Sequence, residues 1–519
     1  MITAPIHTRP RLRRSAYRIC SIVLVVWAIQ APSTNCVLAE SAPISPHHAA
    51  WLDHRHHATQ PALIGPGGQP QPLSSHARRA AQTQRAVFGF LPYWISAEYY
   101  DSIDFDLLTH IAPFSVEVNA DGSLGEDHGW PWTALIDRAH QHGVRVILTA
   151  TLFGDADVRT LLNSETHRTR FMRDIRDKIS AGNADGVNID FEGPGLNGWP
   201  DQISGFLREL TDYLHAEIPG SEVSFASPAI DWGGRWDFAQ IAASCDYLFV
   251  MGYAFSGKWS SSTGPTAPLG GPGRTVASLL EDDRDYGQVT RDRPEKLILG
   301  VPYYGCKWKT RSGEPSTSVQ EFINYPRLRD AIPQAAHWGA RWDARSQTAW
   351  YRYRDGEEWI QVWYDDVESL RRKYDLALDN DLRGFGMWAL GYEGDQIEPW
   401  QLIEEVNGRR TPTLVQSAAA VPEAFAVASP YPNPFNTSVT VRYRVPGPGR
   451  LQIDLYDVLG RRIHGWSQRA ESTGFSQWRW NGRDLTGQET ASGLYTMHFQ
   501  YRADDGSLYS QSRRVVQLR

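Results

Sequence analysis

The chain has 519 residues, of which 41% are hydrophobic and 21% charged, so it is long enough to bury a large core and form about three domains. Its 52 basic and 59 acidic residues leave a net charge of −7. That balance argues against nucleic acid as the main partner, because duplex binding depends on Lys and Arg neutralising phosphates. The 20 Trp residues nearly match the 22 Tyr and 18 Phe. This excess fits an aromatic-rich core and a sugar ligand equally well.

The N-terminus has the layout of a secretory signal peptide over residues 1–39. Several arginines precede an apolar stretch, Ile19–Ile29, and Val37-Leu38-Ala39 forms a small-residue cleavage pattern. The apolar stretch is too short to cross a bilayer, and no run of about 18 apolar residues occurs elsewhere, so we expect no spanning segment.

Residues 40–84 are rich in Pro, Gly, Gln and His and lack apolar periodicity, so we expect a mostly disordered leader. Its clustered histidines suit either metal binding or a solvated segment with one short helix, and we favour the second interpretation. No cofactor or metal is predicted. The histidines are His47, His48, His54, His56 and His57.

Over residues 85–407, short apolar runs alternate with amphipathic stretches of helical period. Continuous apolar strands between helices indicate a parallel sheet covered on both faces, and eight such units indicate an α/β fold, the (β/α)8 TIM barrel. The interval Gly305–Arg383, before strand eight, predicts an α+β insertion with a hairpin turned by Asp355-Gly356. The eight runs are Ala86–Phe90, Leu107–Phe114, Val144–Thr151, Gly186–Phe191, Val223–Ser227, Tyr247–Tyr253, Leu297–Tyr303 and Gly384–Ala389.

The C-terminal part differs from the barrel region in composition and in its pattern of apolar residues. Residues 408–428 are rich in Ala, Val, Pro, Thr and Ser and are typical of a linker. Residues 429–519 combine alternating apolar positions with turn signals at short intervals, which predicts a small all-β, immunoglobulin-like sandwich.

The segment Asp185–Glu192, which contains strand four, is the most informative for chemistry. Because strand side chains alternate faces, Asn188, Asp190 and Glu192 all point into the barrel. Buried acids are costly unless they are hydrogen-bonded or functional, and barrel enzymes place their catalysts at the carboxyl ends of strands. Two neighbouring carboxyls can divide the roles of proton donor and charged group. The alternative is a buried polar network that only holds the barrel together.

This segment resembles the signature of glycoside hydrolase family 18, the chitinase-like enzymes, whose usual form is Asp-Gly-x-Asp/Asn-x-Asp-x-Glu. The resemblance covers roughly residues 85–405. Four further segments resemble the first, sixth, seventh and eighth strands of that family in the expected order: Phe88–Trp94, Val250–Tyr253, Leu299–Gly305 and Gly384–Leu390.

The resemblance implies a role for each matching residue. Glu192 would be the general acid and then the base, and the N-acetyl oxygen of the substrate, rather than an enzymic nucleophile, would attack the anomeric carbon. Asp190 would orient the acetamide and stabilise its developing positive charge, and Tyr253 would hydrogen-bond the acetamide oxygen. The resemblance also implies supporting residues and sugar contacts at Asn188, Asp185, Trp388, Met251, Tyr93 and Trp94.

Two departures from the family pattern bear on activity. Asn188 stands where many members have Asp, which resembles the bacterial branch with spore-cortex and cell-wall enzymes. Ala254 stands where an Asp often follows the Tyr. We expect a secreted, retaining hydrolase of β-linked N-acetylglucosamine polymers, either chitin or peptidoglycan. The alternative is a weak or inactive chitolectin-like binding protein on the same barrel.

Two cysteines remain if a signal peptide is removed. Cys245 precedes strand six and Cys306 follows strand seven. In a parallel barrel these positions lie at opposite ends, beyond the reach of a disulfide, so we expect two free thiols.

The last 90 or so residues resemble the C-terminal sorting domain of the type IX secretion system, which is related to FlgD-like immunoglobulin folds. The resemblance rests on the segments Ser429–Asn436, Leu455–Arg461, Trp480–Asp484 and Ala491–Tyr495. It implies secretion to the surface or exterior of a Gram-negative bacterium, with the secretion machinery as a partner. The alternative is a sandwich that binds carbohydrate or spaces the enzyme.

Fifteen of the 20 Trp residues, from Trp94 to Trp400, fall in the predicted barrel domain. A cluster of five lies in the later part of the insertion, where they either extend a sugar track or pack the insertion itself. They are Trp338, Trp342, Trp350, Trp359 and Trp363.

Overall fold

The computed structural model describes residues 45–65, 67–74, 85–193, 199–231, 236–408, 425–427, 430, 435–436, 438–470 and 474–518. The predicted signal peptide and nearly all of the predicted linker lie outside these residues. Among the helices described, none has both the length and the apolar character needed to cross a bilayer.

Eight parallel strands close into a barrel, as the sequence predicts. The closing pair joins the first and last strands, with Ala86 beside Gly384. The barrel strands are β1 Ala86–Pro92, β2 His110–Glu117, β3 Arg145–Phe153, β4 Gly186–Glu192, β5 Glu222–Pro228, β6 Tyr247–Met251, β7 Leu297–Pro302 and, after five strands of the insertion, β13 Gly384–Trp388.

Helices alternate with the strands along the chain. The outward side chains of β4 pack against them: the Phe191 ring lies 5.6 Å from Phe171 and 5.7 Å from Phe206. The predicted alternation of strand four is therefore confirmed. The helices are α1 Pro46–His54, α2 Pro61–Ile64, α3 Ala97–Tyr100, α4 Thr133–Gln141, α5 Asp155–Leu162, α6 Glu165–Gly182, α7 Trp199–Glu217, α8 Phe238–Ser244, α9 Val276–Glu281, α10 Gly287–Asp292, α11 Leu328–Trp338, α12 Val367–Asp379 and α13 Glu398–Gly408, with 3-10 turns at Phe105–Leu107 and Pro294–Lys296.

The structure differs from the expectation of a mostly disordered leader, because residues 46–54 and 61–64 form α1 and α2. The Ser45 hydroxyl caps α1 by accepting from the backbone N–H of His48 at 3.1 Å, and Pro46 occupies the first turn. Leu63 is fully buried against the barrel core. The leader lacks a long apolar stripe, and its order comes from side-chain contacts with the barrel.

The insertion forms a five-stranded sheet with the order β10-β11-β12-β8-β9 and contains the predicted hairpin. Trp308, Trp350 and Trp363 are buried in a small core of their own, and the rings of Trp350 and Trp363 stack at 5.2 Å. Part of the Trp excess therefore packs the insertion. Its strands are β8 Cys306–Thr310, β9 Val319–Asn324, β10 Arg341–Asp343, β11 Thr348–Asp355 and β12 Glu358–Tyr364.

The C-terminal part is all-β. A three-stranded sheet, β14-β15-β18, and a four-stranded sheet, β17-β16-β19-β20, share one apolar core. The strands are β14 Ala426–Val427, β15 Val439–Val445, β16 Gly449–Tyr456, β17 Arg462–Ala470, β18 Gly474–Trp480, β19 Gly493–Ala503 and β20 Leu508–Gln517.

Both cysteines in the described part of the chain are buried and free, as predicted. Burial raises the pKa of the Cys245 thiol to about 12. It also raises the pKa of the Cys306 thiol above its usual range. Both thiols are therefore protonated and unreactive at neutral pH.

Candidate active site

The polar residues of β4 converge inside the barrel near its carboxyl end. Asn188 is fully buried and its side-chain oxygen accepts a hydrogen bond from the Ser224 hydroxyl at 2.9 Å. Asp190, two residues further along the strand, is fully buried, and Glu192 lies half-buried at the mouth of the barrel. The sequence predicted this convergence from the two-residue period of a strand.

Burial raises the pKa of Asp190 to about 8. Burial together with the neighbouring negative charge of Asp190 raises the pKa of Glu192 to about 8 as well. The pair of carboxyl groups therefore holds at least one proton through most of the neutral range in this state of the protein. A protonated carboxyl at the mouth of a barrel is suited to proton donation.

Two aromatic residues complete the pocket. Tyr253 follows β6 and Trp388 ends β13, so both lie at the same end of the barrel as Glu192. Burial raises the pKa of Tyr253 well above its usual range, so its hydroxyl is a permanent hydrogen-bond donor. The Trp388 ring is held by the edge of Phe114 at 4.8 Å and forms a flat floor. Met251, the last residue of β6, is buried beside them in the barrel core.

Tyr93 and Trp94 follow β1 at the same mouth. The Tyr93 ring stacks on His128 at 3.5 Å, and its hydroxyl donates to the backbone oxygen of His54 at 2.9 Å. The Trp94 ring stacks on His54 at 4.6 Å and meets Trp388 edge-on at 6.4 Å. Both residues therefore contact α1 of the leader at the mouth of the barrel.

Asp185 lies apart from this pocket, and the supporting role that the resemblance implies for it stays a prediction. It precedes β4 at the opposite end of the strand, where its Oδ2 is 3.0 Å from His140 Nε2 and accepts from the Val146 N–H at 3.0 Å. The family motif runs the full length of the strand. Its first acid, Asp185, therefore bonds to neighbouring elements at the start of the strand, while Asp190 and Glu192 face the pocket at its end.

Residues of the leader occupy the pocket, which sequence reasoning missed. The ring of His47 is fully buried, with Nδ1 2.8 Å from Asp190 Oδ2 and Nε2 2.7 Å from the Tyr253 hydroxyl. Its partners are 143 and 206 positions away in the chain, so no local pattern links them. The clustering of His residues was the one signal that marked this segment.

His47, Asp190 and Glu192 are also the group of residues, within the described ranges, whose ligand atoms lie close enough for a metal ion. One atom of each lies within 4.8 Å of the others. The imidazole and the Asp190 carboxyl already satisfy one another by hydrogen bonding at 2.8 Å. The observed geometry is that of a hydrogen-bonded cluster.

Ala254, at the departure from the family pattern, adopts a left-handed backbone conformation with φ 66°. Its N–H donates to the Thr266 hydroxyl at 3.1 Å. A methyl side chain provides no hydrogen bond to the pocket, so the Tyr253 hydroxyl works without a carboxylate from the following residue.

Comparison with known proteins identifies the family. The model of the glycosyl hydrolases family 18 matches residues 89–393, which is more than half of the chain. The chain belongs to glycosyl hydrolase family 18. It is accordingly a glycoside hydrolase, and the matched residues span the barrel from the first strand to the last.

Individual known proteins are similar to this chain over much of this region. YdhD of Bacillus subtilis (strain 168), described as a sporulation-specific glycosylase, is 29% identical over 73% of this chain and 87% of its own length. Human di-N-acetylchitobiase is 28% identical over 54% of this chain and 75% of its own length. The crystal structure of a Cycas revoluta family 18 chitinase mutant with (GlcNAc)4 has a TM-score of 0.54 at 21% identity, covering 62% of this chain and 99% of that one. This last likeness supports the barrel fold.

Proposed function

We propose that this family 18 enzyme hydrolyses β-linked N-acetylglucosamine polymers by substrate-assisted catalysis. One observation carries the proposal: Glu192, Asp190, Tyr253 and Trp388 surround a single ring-sized volume at the barrel mouth, now filled by His47. These groups provide an acid, an amide-orienting carboxyl, a hydroxyl donor and an aromatic floor. A sugar with an N-acetyl group needs all four.

The proposed reaction has two steps. Glu192 donates its proton to the glycosidic oxygen while the acetamide oxygen attacks the anomeric carbon, so the leaving sugar departs and a cyclic oxazolinium forms. Asp190 pairs with the acetamide nitrogen and stabilises its positive charge, and the Tyr253 hydroxyl donates to the acetamide oxygen. Glu192, now ionised, removes a proton from water, which opens the ring with net retention of configuration.

Chitin and peptidoglycan both contain the required N-acetylglucosamine. The relative named for di-N-acetylchitobiose is consistent with chitin fragments, and the sporulation-specific relative is consistent with a bacterial cell-wall substrate. Both polymers remain candidate substrates of this proposal.

We also propose that the protein is exported, with residues 1–39 as a signal peptide and residues 429–519 as a type IX sorting domain of a Gram-negative bacterium. The two-sheet, all-β architecture of the C-terminal part is compatible with this assignment. Detection of the mature chain in the culture medium or at the cell surface tests it, and retention of an uncleaved chain in the cytoplasm contradicts it.

The second candidate function is carbohydrate binding without turnover. Ala254 favours it, because a methyl side chain offers no hydrogen bond to the acetamide.

An assay of hydrolysis distinguishes the two candidates. We expect release of shorter sugars from chitotetraose and from peptidoglycan, but no cleavage of the fully deacetylated glucosamine tetramer, because that substrate lacks the attacking acetamide oxygen. Product analysis by mass spectrometry provides the measurement. Equal cleavage of the acetylated and deacetylated tetramers contradicts substrate assistance, and binding without any products supports the second candidate.

A further inference from the structure

The mouth of the barrel is filled by the chain's own leader. Helix α1 (Pro46–His54) enters the pocket by its N-terminal end, so that Ser45 and His47 reach the catalytic carboxyls. The Ser45 hydroxyl donates to Glu192 Oε1, the oxygen group that would protonate a glycosidic bond. A glycosidic oxygen cannot approach this carboxyl oxygen while the serine hydroxyl is hydrogen-bonded to it.

The His47 ring takes the position expected for the sugar. It lies on the Trp388 ring with centroids 3.8 Å apart and an angle of 31° between the planes. Its side chain is completely buried. An aromatic floor covered at this distance has no room for a pyranose.

The hydrogen bonds of His47 resemble those of an acetamide. A neutral imidazole offers one donor and one acceptor in its plane, and so does an amide. In the tautomer with the proton on Nδ1, the ring donates to Asp190 and accepts from the Tyr253 hydroxyl, at 2.8 Å and 2.7 Å. Burial lowers the pKa of His47 to about 3, so the ring is neutral and suited to this pairing.

The rest of the helix is fastened along the mouth. The His48 ring stacks on Phe153 at 4.4 Å with an interplanar angle of 4°. The Trp51 indole N–H donates to Glu117 Oε1 at 2.7 Å. These contacts extend the docked segment beyond the pocket itself.

The far end of the helix is held as well. His54 stacks on Trp94 at 4.6 Å, and its Nε2 lies 3.1 Å from the Arg327 guanidinium. Because α1 contacts the barrel at both of its ends, its docking does not depend on the insertion of His47 alone.

We infer that residues 45–54 are an intramolecular inhibitor that occupies the acetamide-binding pocket, so that only the fraction of molecules from which this segment has left is active. The inference rests on the proposed function, since the pocket must be the substrate site. In the docked state Ser45 is hydrogen-bonded to Glu192 and His47 to Asp190, so covering the carboxyl pair leaves neither group without a polar partner. Substrate and leader compete for one site, which lowers the apparent affinity for substrate by the fraction of open molecules.

The test compares the full-length chain with a Ser45→Ala/His47→Ala variant. We expect kcat/KM on a fluorogenic N,N′-diacetylchitobioside to rise at least tenfold, because the variant loses the contacts to Glu192, Asp190 and Tyr253. His56→Ala is the matched control, since His56 is an exposed histidine just after the same helix. We expect its kcat/KM to stay within twofold of the wild-type value.

Hydrogen–deuterium exchange of residues 46–54 provides a readout that does not depend on turnover. We expect slow exchange in the wild type and in His56→Ala, and fast exchange in the double variant. Equal kcat/KM in wild type and double variant overturns the inference and leaves the proposed function intact. Fast exchange in the wild type also overturns it.

The proposed function fails in a different way. If the double variant exchanges fast but neither cleaves nor binds chitotetraose, the pocket is not an N-acetylglucosamine site, and the inhibitory role of the leader falls with it. If the double variant binds chitotetraose at least tenfold more tightly than wild type without cleaving it, the leader still blocks the site, and the second candidate function replaces the first.

Discussion

Glu192→Gln is expected to lower kcat/KM on chitotetraose by about a thousandfold or more, because an amide neither donates a proton to the leaving oxygen nor activates water. The effect is best measured in the Ser45→Ala/His47→Ala background, in which the pocket is open. Single-turnover assays with purified variants provide the rate, and binding of the same oligosaccharide by calorimetry should change little.

Glu393→Gln is the matched control for this substitution. Glu393 is a second buried glutamate whose pKa burial raises to about 8, so it is mostly neutral at pH 7 and an amide resembles it closely. We expect this variant to retain activity within a few fold. Equal losses in Glu192→Gln and Glu393→Gln would mean that buried carboxyls support the fold and that Glu192 is not the acid.

The pH dependence of kcat/KM follows from the protonation of Glu192. Since Glu192 must be protonated to act as the acid, kcat/KM falls as the pH rises through its pKa, which is about 8 with the leader docked. Water that enters the open pocket relieves the burial and lowers that pKa. In the open variant the basic limb should therefore lie below pH 8, and the Glu192→Gln variant should show no such limb.

Asp190→Asn is expected to lower kcat/KM by about a hundredfold or more, because Asn keeps the size and the hydrogen bonds of Asp but cannot carry the charge that stabilises the oxazolinium. The loss should appear in kcat more than in KM, since the charge on the acetamide develops only in the transition state. Steady-state kinetics on the fluorogenic chitobioside, again in the open background, provide the measurement.

Asp185→Asn serves as the control on the same strand. Asp185 is buried and hydrogen-bonded like Asp190, but it lies at the other end of β4 with His140 and Val146. We expect a lower melting temperature and an unchanged kcat/KM at a temperature where the variant is folded. An activity loss in Asp185→Asn as large as that in Asp190→Asn would contradict the assignment of the charge effect to the pocket.

The barrel and its carboxyl end were predictable because they follow from short-range rules. A strand repeats every two residues, so Asn188, Asp190 and Glu192 had to share one face, and parallel strands bring their carboxyl ends together. The same rule left the role of Asp185 open. The motif alone does not show where along the strand the pocket begins, and the structure places Asp185 with α4 (Thr133–Gln141) and β3 instead.

The leader was not predictable from its own composition. Polar, His-rich sequence normally remains solvated because it buries too little apolar surface to offset its lost conformational entropy. Here its side chains find partners already arranged by the barrel, as His47 does with Asp190, Tyr253 and Trp388. Such docking depends on complementarity between two distant parts of the chain, which hydrophobic periodicity does not encode.

The anomeric configuration of the first product tests substrate-assisted catalysis most directly. Chitotetraose is mixed with the open Ser45→Ala/His47→Ala variant, and proton NMR follows the newly formed reducing end before mutarotation. Attack by the acetamide oxygen followed by water from the opposite face predicts the β-anomer as the initial product. Initial formation of the α-anomer would show direct displacement by water and would contradict the roles assigned to Asp190 and Glu192.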